Sequence, residues 1–350
     1  MLDFLRIILS PLTVFYWIAI KVRNLFFDKG IFQSKEMPVK IISIGNLTVG
    51  GSGKTPATDL VTGILLENNI RVGVLSRGYK RKSKGYRLVC DGKNIFTSVD
   101  EAGDEIMMIA REKKIPAAVA ERRADGALKF LNDVELDSIV LDDGFQHRWI
   151  SRNLDILVID QRFLQKVNKR EQSLLPLGDM REPFSSIDRA DIIIINRKFN
   201  KPEPLPAKLE KYFEGKKVFY AEYKPAGFYD VKNNRHFPFQ EFEGQKSLVV
   251  CGIARPYSFL SILENNNIDI GNKLLFKDHK HYTLKDVQTI RKKFYDTNSY
   301  SVLTTEKDAI KLTNFAIELD DIDIYYLKIK MFVKNKNEFV KEVTKIFNQN

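Results

Sequence analysis

The feature that most constrains the fold is a glycine-rich loop that lies between an apolar run and a helical pattern. The apolar run is residues 39–44, Val-Lys-Ile-Ile-Ser-Ile, and the helical pattern covers residues 56–68. The loop between them, residues 45–55, reads Gly-Asn-Leu-Thr-Val-Gly-Gly-Ser-Gly-Lys-Thr. Strand, glycine-rich loop and helix in this order are typical of a phosphate-binding loop. The sequence therefore predicts an α/β protein with an anion site at this loop.

The residue types in the loop suit a nucleoside triphosphate. Glycines let backbone N–H groups converge on phosphate oxygens, Lys54 places a positive charge near the β- and γ-phosphates, and the Thr55 hydroxyl is a ligand for Mg²⁺. The pattern G-x-x-x-x-G-K-[ST] departs at its first position, Thr48, and the alternative is a turn that only caps a helix. The apolar strand before the loop favours the phosphate site. The predicted nucleotide-binding residues are Thr48, Val49, Gly50, Gly51, Ser52, Gly53, Lys54 and Thr55.

A second acidic motif supports this interpretation. The apolar run 138–141 ends in Asp142 and Asp143. A carboxylate at a strand end beside a phosphate loop orients Mg²⁺ or its water ligands. Two consecutive acids also occur in ordinary turns, but the upstream loop favours a metal site formed by Thr55, Asp142 and Asp143.

The rest of the chain continues the alternation of strand and helix patterns. Residues 191–195 are almost continuously apolar, as expected for a parallel strand that is covered on both faces. We expect a surface helix and connection at 198–217, two short β runs at 218–223 and 228–232, and an interdomain connection there. A second strand–helix series opens at 247–252, and a helix at 335–347 ends it. Other predicted strands are 71–76, 115–120 and 154–159.

Composition limits the function classes. The 350 residues are enough for two domains, 44% are hydrophobic and 29% are charged, which is typical of a globular protein. Lysine and arginine exceed aspartate and glutamate by 56 − 45 = 11, which suggests anionic partners such as nucleotides, nucleic acid or an anionic lipid surface. Cys90 and Cys251 have no metal-ligand spacing and are expected to be buried thiols.

The amino-terminal segment is apolar and flanked by cations. Only fourteen residues separate Arg6 from Lys21, and Pro11 interrupts them, whereas a bilayer-spanning helix needs about 20 apolar residues. A membrane-spanning helix and a cleaved signal are therefore not expected. Two alternatives remain open, a helix in the membrane interface and a helix packed on the protein, because both need the same residues.

Several motifs together resemble one family, the tetraacyldisaccharide 4'-kinases (lipid A 4'-kinases). The matching segments are residues 45–56, 76–79, 103–105, 142–147, 174–183, 278–279 and 305–308. The resemblance implies transfer of the γ-phosphoryl group of ATP, with Mg²⁺, to the 4'-hydroxyl of a lipid disaccharide 1-phosphate. It also implies peripheral association with the cytoplasmic leaflet of the inner membrane.

The resemblance further implies a domain plan and site residues. The plan is a membrane-associating helix in 1–30, a P-loop kinase domain in 31–220, a two-stranded linker in 221–233 and a smaller α/β domain in 234–350. An Asp–His pair at Asp104 and His279 helps to deprotonate the attacking hydroxyl, with Lys54 as the third catalytic residue. The family motif has a second histidine after the first, and here Lys280 and then His281 follow. The implied substrate contacts are Arg77, Tyr79, Glu105, Gln146, His147, Arg181 and Glu182.

Two rival functions are weighed against the kinase. A regulatory P-loop GTPase is suggested by residues 142–144 and 305–308, but the latter segment lacks the Asn-Lys-x-Asp order that reads guanine. A nucleic-acid-binding ATPase is suggested by net charge alone, and no recognition helix, RNP or OB pattern is present in the sequence. We therefore expect no nucleic-acid partner.

Overall fold

The computed structural model describes residues 6–253, 256–278 and 280–348. The chain divides into two compact units. Unit 1 comprises Met1–Ala102, Ile109–Glu222 and Met331–Asn350, and unit 2 comprises Gly103–Met108 and Tyr223–Lys330. The carboxyl-terminal segment therefore groups with unit 1, whereas the sequence-based plan assigns it to the smaller domain.

Helices and strands alternate along most of the described chain. The helices are α1 Leu12–Asp28, α2 Lys54–Glu67, α3 Val99–Ala102, α4 Asp104–Lys113, α5 Arg123–Asp133, α6 Gln161–Leu164, α7 Ala207–Glu210, α8 Pro256–Asn265, α9 Leu284–Asp296, α10 Glu306–Leu312 and α11 Lys336–Thr344. The strands are β1 Lys40–Gly45, β2 Val72–Ser76, β3 Arg87–Asp91, β4 Pro116–Val119, β5 Ser138–Asp142, β6 Leu154–Asp160, β7 Ile192–Asn196, β8 Lys217–Asp230, β9 His236–Phe237, β10 Ser247–Cys251, β11 Asn272–Leu275, β12 Ser301–Thr305 and β13 Ile324–Val333.

Unit 1 contains a mostly parallel sheet in the order β8-β7-β6-β1-β5-β2-β4-β3. Only β3 runs antiparallel, against β4. β1 lies between β5 and β6, with Ile44 opposite Asp142 and Ile156. The carboxyl ends of β1, β5, β6 and β7 therefore meet at one edge of the sheet, where open α/β sheets bind ligands.

Burial explains why these apolar runs form strands. Ile192, Ile193, Ile194 and Ile195 of β7 are all buried, and so are residues 41–45 of β1. Branched side chains on both faces of a parallel strand fill the space under the covering helices. The α/β class predicted from the sequence is confirmed.

Unit 2 has its own sheet and core. β11, β10, β12 and β13 run parallel in that order, and β9 pairs antiparallel with the carboxyl-terminal part of β8. Two apolar clusters cover the sheet, one around Phe228, Phe259 and Leu263 and the other around Val287 and Ile290.

Two local predictions differ from the structure. Residues 218–232 were expected to form two short β runs, but the structure has one continuous strand, β8, across Pro225 and Gly227. Gly227 has φ +93°, a backbone conformation that glycine adopts without strain. The segment 198–217 was expected to hold a surface helix, and only the four residues Ala207–Glu210 are α-helical, since Pro202, Pro204 and Pro206 lack donors for a helix.

Helix α1 has one packed face and one exposed face. Phe27 is buried and stacks edge-on against Trp149 at 4.9 Å, whereas Phe15 is 68% exposed. Further exposed apolar residues are Leu12, Val14, Trp17, Ile18, Val22 and Leu25. In the part of the chain that the structure describes, none of the helices is long and apolar enough to cross a bilayer. Packing on the protein therefore accounts for only one of its faces.

Candidate active site

The predicted strand, loop and helix are present as β1, residues 46–53 and α2. Gly45 must be glycine, because a Cβ there would lie 2.5 Å from the Cβ of Phe145. Gly53 has φ +105°, in the left-handed region that favours glycine, and it leads directly into α2. Space is open beside Gly50 and Gly51, where an added Cβ would meet no atom of the described residues within 4 Å. The loop thus leaves room for an anion at the amino terminus of α2.

The loop is held on one side by the segment 179–181. The Val49 N–H donates to the carbonyl of Asp179 at 2.8 Å, and the Arg181 N–H donates to the carbonyl of Leu47 at 2.7 Å. On the other side, the Asn196 amide donates to the Ser52 carbonyl at 2.9 Å. Lys198 Nζ donates to the Gly51 carbonyl at 2.6 Å. These contacts fix the loop before any ligand binds.

Asp143 is the centre of a cluster of charges. Arg181 donates to both of its carboxylate oxygens, at 2.7 and 3.0 Å, and Lys54 Nζ lies 3.6 Å from Oδ1. Burial alone would raise the pKa of Asp143, but the hydrogen bond from Arg181 and the charges of Lys54 and Arg123 lower it to about 2. Asp143 is therefore ionised at neutral pH, and its carboxylate is paired with Arg181 and Lys54.

Asp142 differs from its neighbour. Its side chain is almost fully buried at the end of β5 and accepts a hydrogen bond from Thr58 Oγ1 at 3.3 Å. Thr58 lies one turn after Thr55 on α2, so the carboxylate faces the start of that helix. Mg²⁺ in nucleotide sites takes one or two protein oxygens and completes its shell with water and phosphate. Thr55 and Asp142 fit that donor set, whereas Asp143 is occupied by Arg181 and Lys54.

Gln146 and His147 follow the acidic pair. Gln146 Nε2 donates to the Asn46 carbonyl at 2.8 Å, and Gln146 Oε1 and His147 Nε2 are buried without a hydrogen-bond partner among the described residues. Burial, and then the charges of Arg123, Arg152 and Arg77, lower the pKa of His147 to about 4. His147 is therefore neutral at pH 7 and able to accept or donate one hydrogen bond to a ligand.

Arg77 and Tyr79 follow β2, and the side chains of both are exposed. The positive charge of Arg77 contributes to the lowered pKa values of His147 and Arg123, so the three groups share one electrostatic environment. Lys80 Nζ lies 5.4 Å from the centre of the Tyr79 ring. Both predicted substrate residues are thus on the surface of unit 1.

Glu182 is buried inside unit 1, and its role as a substrate contact stays a prediction. Its side chain has no exposed surface, because Oε1 accepts from Arg23 of α1 and Oε2 accepts from Arg189, both at 2.6 Å. Both carboxylate oxygens are thus occupied by guanidinium groups of the protein. Through Arg23, Glu182 connects α1 to the rest of unit 1.

Asp104 and Glu105 begin α4 and group with unit 2. Lys311 Nζ lies 3.5 Å from Asp104 Oδ2, and Lys307 Nζ donates to Glu105 Oε1 at 2.9 Å. Burial alone would lower the pKa of Lys307, but the charges of Glu105, Asp104 and Asp278 raise it. Asp278 therefore belongs to the same cluster. Its neighbour His279 lies outside the described residues.

Sequence reasoning missed Arg123. This arginine is 5% exposed and donates weakly to the backbone carbonyl of Asp143 at 3.4 Å. Burial is the main reason that its pKa falls to about 10. A basic residue just after the end of β4 was the available signal, since that sheet edge carries the ligand site. Lys198, which follows β7, is a second basic residue at this sheet edge that was not predicted as a site residue.

Taken together, the parallel sheet and the phosphate loop define a P-loop α/β protein that is built to bind a nucleoside triphosphate. A family model described as tetraacyldisaccharide-1-P 4'-kinase matches residues 5–348, and the chain belongs to that family.

Similar proteins support this assignment along most of the chain. The tetraacyldisaccharide 4'-kinase of Chlorobium luteolum is 36% identical over 88% of this chain and 87% of its own length. The one of Desulfotalea psychrophila is 34% identical over 88% of each. The crystal structure of LpxK from Aquifex aeolicus in complex with ATP has a TM-score of 0.82 and 31% identity, and covers 98% of this chain and 99% of that one.

Proposed function

We propose that this protein transfers the γ-phosphoryl group of ATP to the 4'-hydroxyl of tetraacyldisaccharide 1-phosphate, a step of lipid A biosynthesis. The observation that carries the proposal is the phosphate loop, with Lys54 at its end and the acids of β5 beside it. Membership of the 4'-kinase family names the acceptor.

The nucleotide is bound by residues 48–55. Open space beside Gly50 and Gly51 admits phosphate oxygens to backbone N–H groups, and Lys54 turns from Asp143 toward the γ-phosphate when ATP binds. Phosphoryl transfer needs positioning and charge stabilisation more than covalent chemistry, so preorganised cations are the main contribution of the protein. Arg181 keeps Asp143 in place while Lys54 moves.

Thr55 and Asp142 would hold Mg²⁺, which supplies neutralisation of charge on the β- and γ-phosphates when it is bound. The Thr58 hydrogen bond orients the Asp142 carboxylate for this role. Asp143, which was predicted as a metal ligand, acts instead on Lys54 and Arg181.

Asp104 and His279 remove the proton of the sugar hydroxyl in this proposal. A carboxylate that orients an imidazole raises its basicity, and His279 then accepts the proton as the hydroxyl attacks phosphorus. The cluster of Asp104, Lys307 and Asp278 supports the pairing, because Asp278 directly precedes His279. His281 is the alternative imidazole.

Substrate contacts come from Arg77, Tyr79, Gln146, His147, Arg181 and Glu105. The buried unpartnered atoms of Gln146 and His147 support this assignment, because buried polar atoms normally have partners. Unit 1 would be the kinase domain and unit 2 the second α/β domain.

The protein would work at the cytoplasmic face of the inner membrane, peripherally bound through the exposed side of α1. Phe15 and Ile18 on that side suit the acyl boundary of a bilayer, and Lys21, which lies 4.6 Å from the ring centre of Trp17, suits anionic headgroups.

The test is direct assay of the purified protein with [γ-³²P]ATP, Mg²⁺ and the lipid disaccharide 1-phosphate in detergent. We expect a bisphosphorylated lipid, and Lys54→Ala should lower its formation at least about a thousandfold. Lys93→Ala is the matched control, since Lys93 is an exposed lysine in a turn. Absence of lipid phosphorylation by the folded wild-type protein would overturn the proposal.

Nucleotide choice separates the kinase from its GTPase rival. A kinase of this family should use ATP and bind GTP more weakly. Tight GTP-selective binding with slow hydrolysis and no transfer to the sugar would identify a switch protein instead.

A further inference from the structure

Residues 177–182, here called the bridging segment, lie between helix α1 and the phosphate loop. On the loop side, Val49 N–H donates to the Asp179 carbonyl and Arg181 N–H donates to the Leu47 carbonyl, at 2.8 and 2.7 Å. The side chain of Arg181 also binds the side chain of Asn46 and both oxygens of Asp143. The bridging segment therefore fixes the first part of the loop, residues 46–49.

On the opposite side, α1 contacts the same segment at several points. Tyr16 Oη donates to the backbone carbonyl of Arg181 at 2.9 Å, and Arg23 donates to Glu182 at 2.6 Å. The Leu177 N–H donates to Thr13 Oγ1 at 3.3 Å. Tyr16 lies about one turn after Thr13, and Arg23 lies about two turns after Tyr16. One face of α1 therefore carries all three contacts.

We propose that Tyr16 and Arg23 are positioning residues for the nucleotide site, which act on the phosphate loop through Arg181 and Glu182. The inference deepens the proposed kinase function, on which it rests. The helix is thereby given two different faces: an outer apolar one that is free for lipid, and an inner polar one that holds the loop in its nucleotide-binding form.

The physical reason is the connectivity of the hydrogen bonds. The N–H of Arg181 is bonded to the loop and its carbonyl is bonded to Tyr16, so a shift of α1 acts on the same residue whose guanidinium binds Asp143. Glu182 is fully buried, and loss of Arg23 leaves its charge with Arg189 as the remaining guanidinium at hydrogen-bond distance in the described structure. A buried charge that loses a partner rearranges or draws in water.

The experiment uses full-length variants Tyr16→Phe, Arg23→Gln and Arg23→Lys with a fluorescent ATP analogue. We expect Tyr16→Phe to raise the Kd of the analogue about two- to fivefold, because a hydrogen bond of about 1 kcal/mol that acts through the position of the loop sets fivefold as the upper limit. Arg23→Gln should raise it about tenfold, and Arg23→Lys should restore part of the loss because a cation again faces Glu182. The KM for ATP should rise with the Kd, and the KM for the lipid acceptor should stay within about twofold.

The matched control is Asp28→Asn, which removes a 2.7 Å ion pair between the same helix and Arg148 but touches no residue of the bridging segment. Its Kd should equal that of the wild type. Binding to vesicles of phosphatidylethanolamine and phosphatidylglycerol should be unchanged in Tyr16→Phe and Arg23→Gln, since the outer face is intact.

Wild-type Kd and KM for ATP in both Tyr16→Phe and Arg23→Gln would overturn the inference. A merely structural role would lower the active fraction and therefore kcat, and would leave those two constants unchanged. Failure of the proposed function looks different: the wild-type protein would then bind nucleotide without phosphorylating the lipid.

Discussion

Replacement of Glu182 by glutamine tests whether this residue is part of the scaffold or of the substrate site. The carboxylate has no exposed surface and accepts hydrogen bonds of 2.6 Å from Arg23 and Arg189. Removing one member of a buried ion pair costs about 3–5 kcal/mol of folding free energy. Glutamine keeps the volume of the side chain and one acceptor oxygen. We therefore expect a loss of folding free energy at the lower end of this range, about 3 kcal/mol.

The pH dependence has a definite sign. Burial alone would raise the pKa of Glu182, but the charges and hydrogen bonds of Arg189 and Arg23 lower it below the ordinary glutamate value. A carboxyl group with a lowered pKa stabilises the folded state fully above its unfolded pKa, about 4.3. This contribution is lost as the pH falls through the folded value. The difference between wild type and Glu182→Gln should therefore be largest at neutral pH and shrink below about pH 4.

Thermal unfolding measured by calorimetry at pH 7 provides the assay. A loss of about 3 kcal/mol corresponds to a Tm lowered by about 6–12 °C for a unit of this size. The matched control is Glu135→Gln, because Glu135 is 83% exposed and pairs with Arg71 at 2.5 Å, and it should change stability by less than about 0.5 kcal/mol. A Glu182→Gln protein with wild-type Tm and a raised KM for the lipid acceptor would refute the reasoning and restore Glu182 as a substrate contact.

Three further predictions concern catalysis, pH and packing. Asp104→Asn should lower kcat about a hundredfold and leave the Kd for ATP within about twofold, since a carboxylate that orients the general base acts only in the transfer step. Steady-state kinetics and nucleotide titration check this, and equal changes in kcat and in the Kd for ATP would contradict it. His147→Gln should leave the shape of the pH–rate profile between pH 6 and 8 unchanged, because the pKa of His147 near 4 keeps it neutral there; loss of an ionisation near pH 6.5 would contradict this. Gly45→Ala should destabilise the protein by about 1–3 kcal/mol through the clash with Phe145, whereas Gly51→Ala should not; equal Tm values for the two would show that the clash is relieved.

The strand, loop and helix around Lys54 were predictable because their determinants are local. Branched apolar residues specify a buried strand, glycines specify the loop, and Lys-Thr at its end specifies the chemistry. The same holds for Asp142, which follows its strand directly. The α/β class follows from the repetition of such units along the chain.

Residues 218–232 show where prediction of secondary structure from local sequence signals fails. Proline and glycine at Pro225 and Gly227 are turn signals in a sequence, yet β8 continues through both. The continuous strand is decided by its partners on either side, and partners are distant in sequence.

The amino-acid sequence by itself determined the fold class, the phosphate loop and the family. Only the tertiary structure decided that Asp143 pairs with Arg181, that Glu182 is enclosed by Arg23 and Arg189, and that Arg123 lies beside the acidic pair. The physical reason is that burial and charge pairing depend on which chain segments meet in space. A carboxylate in the sequence is a possible ligand, base or ion-pair partner, and its neighbours in the folded protein select one of these roles.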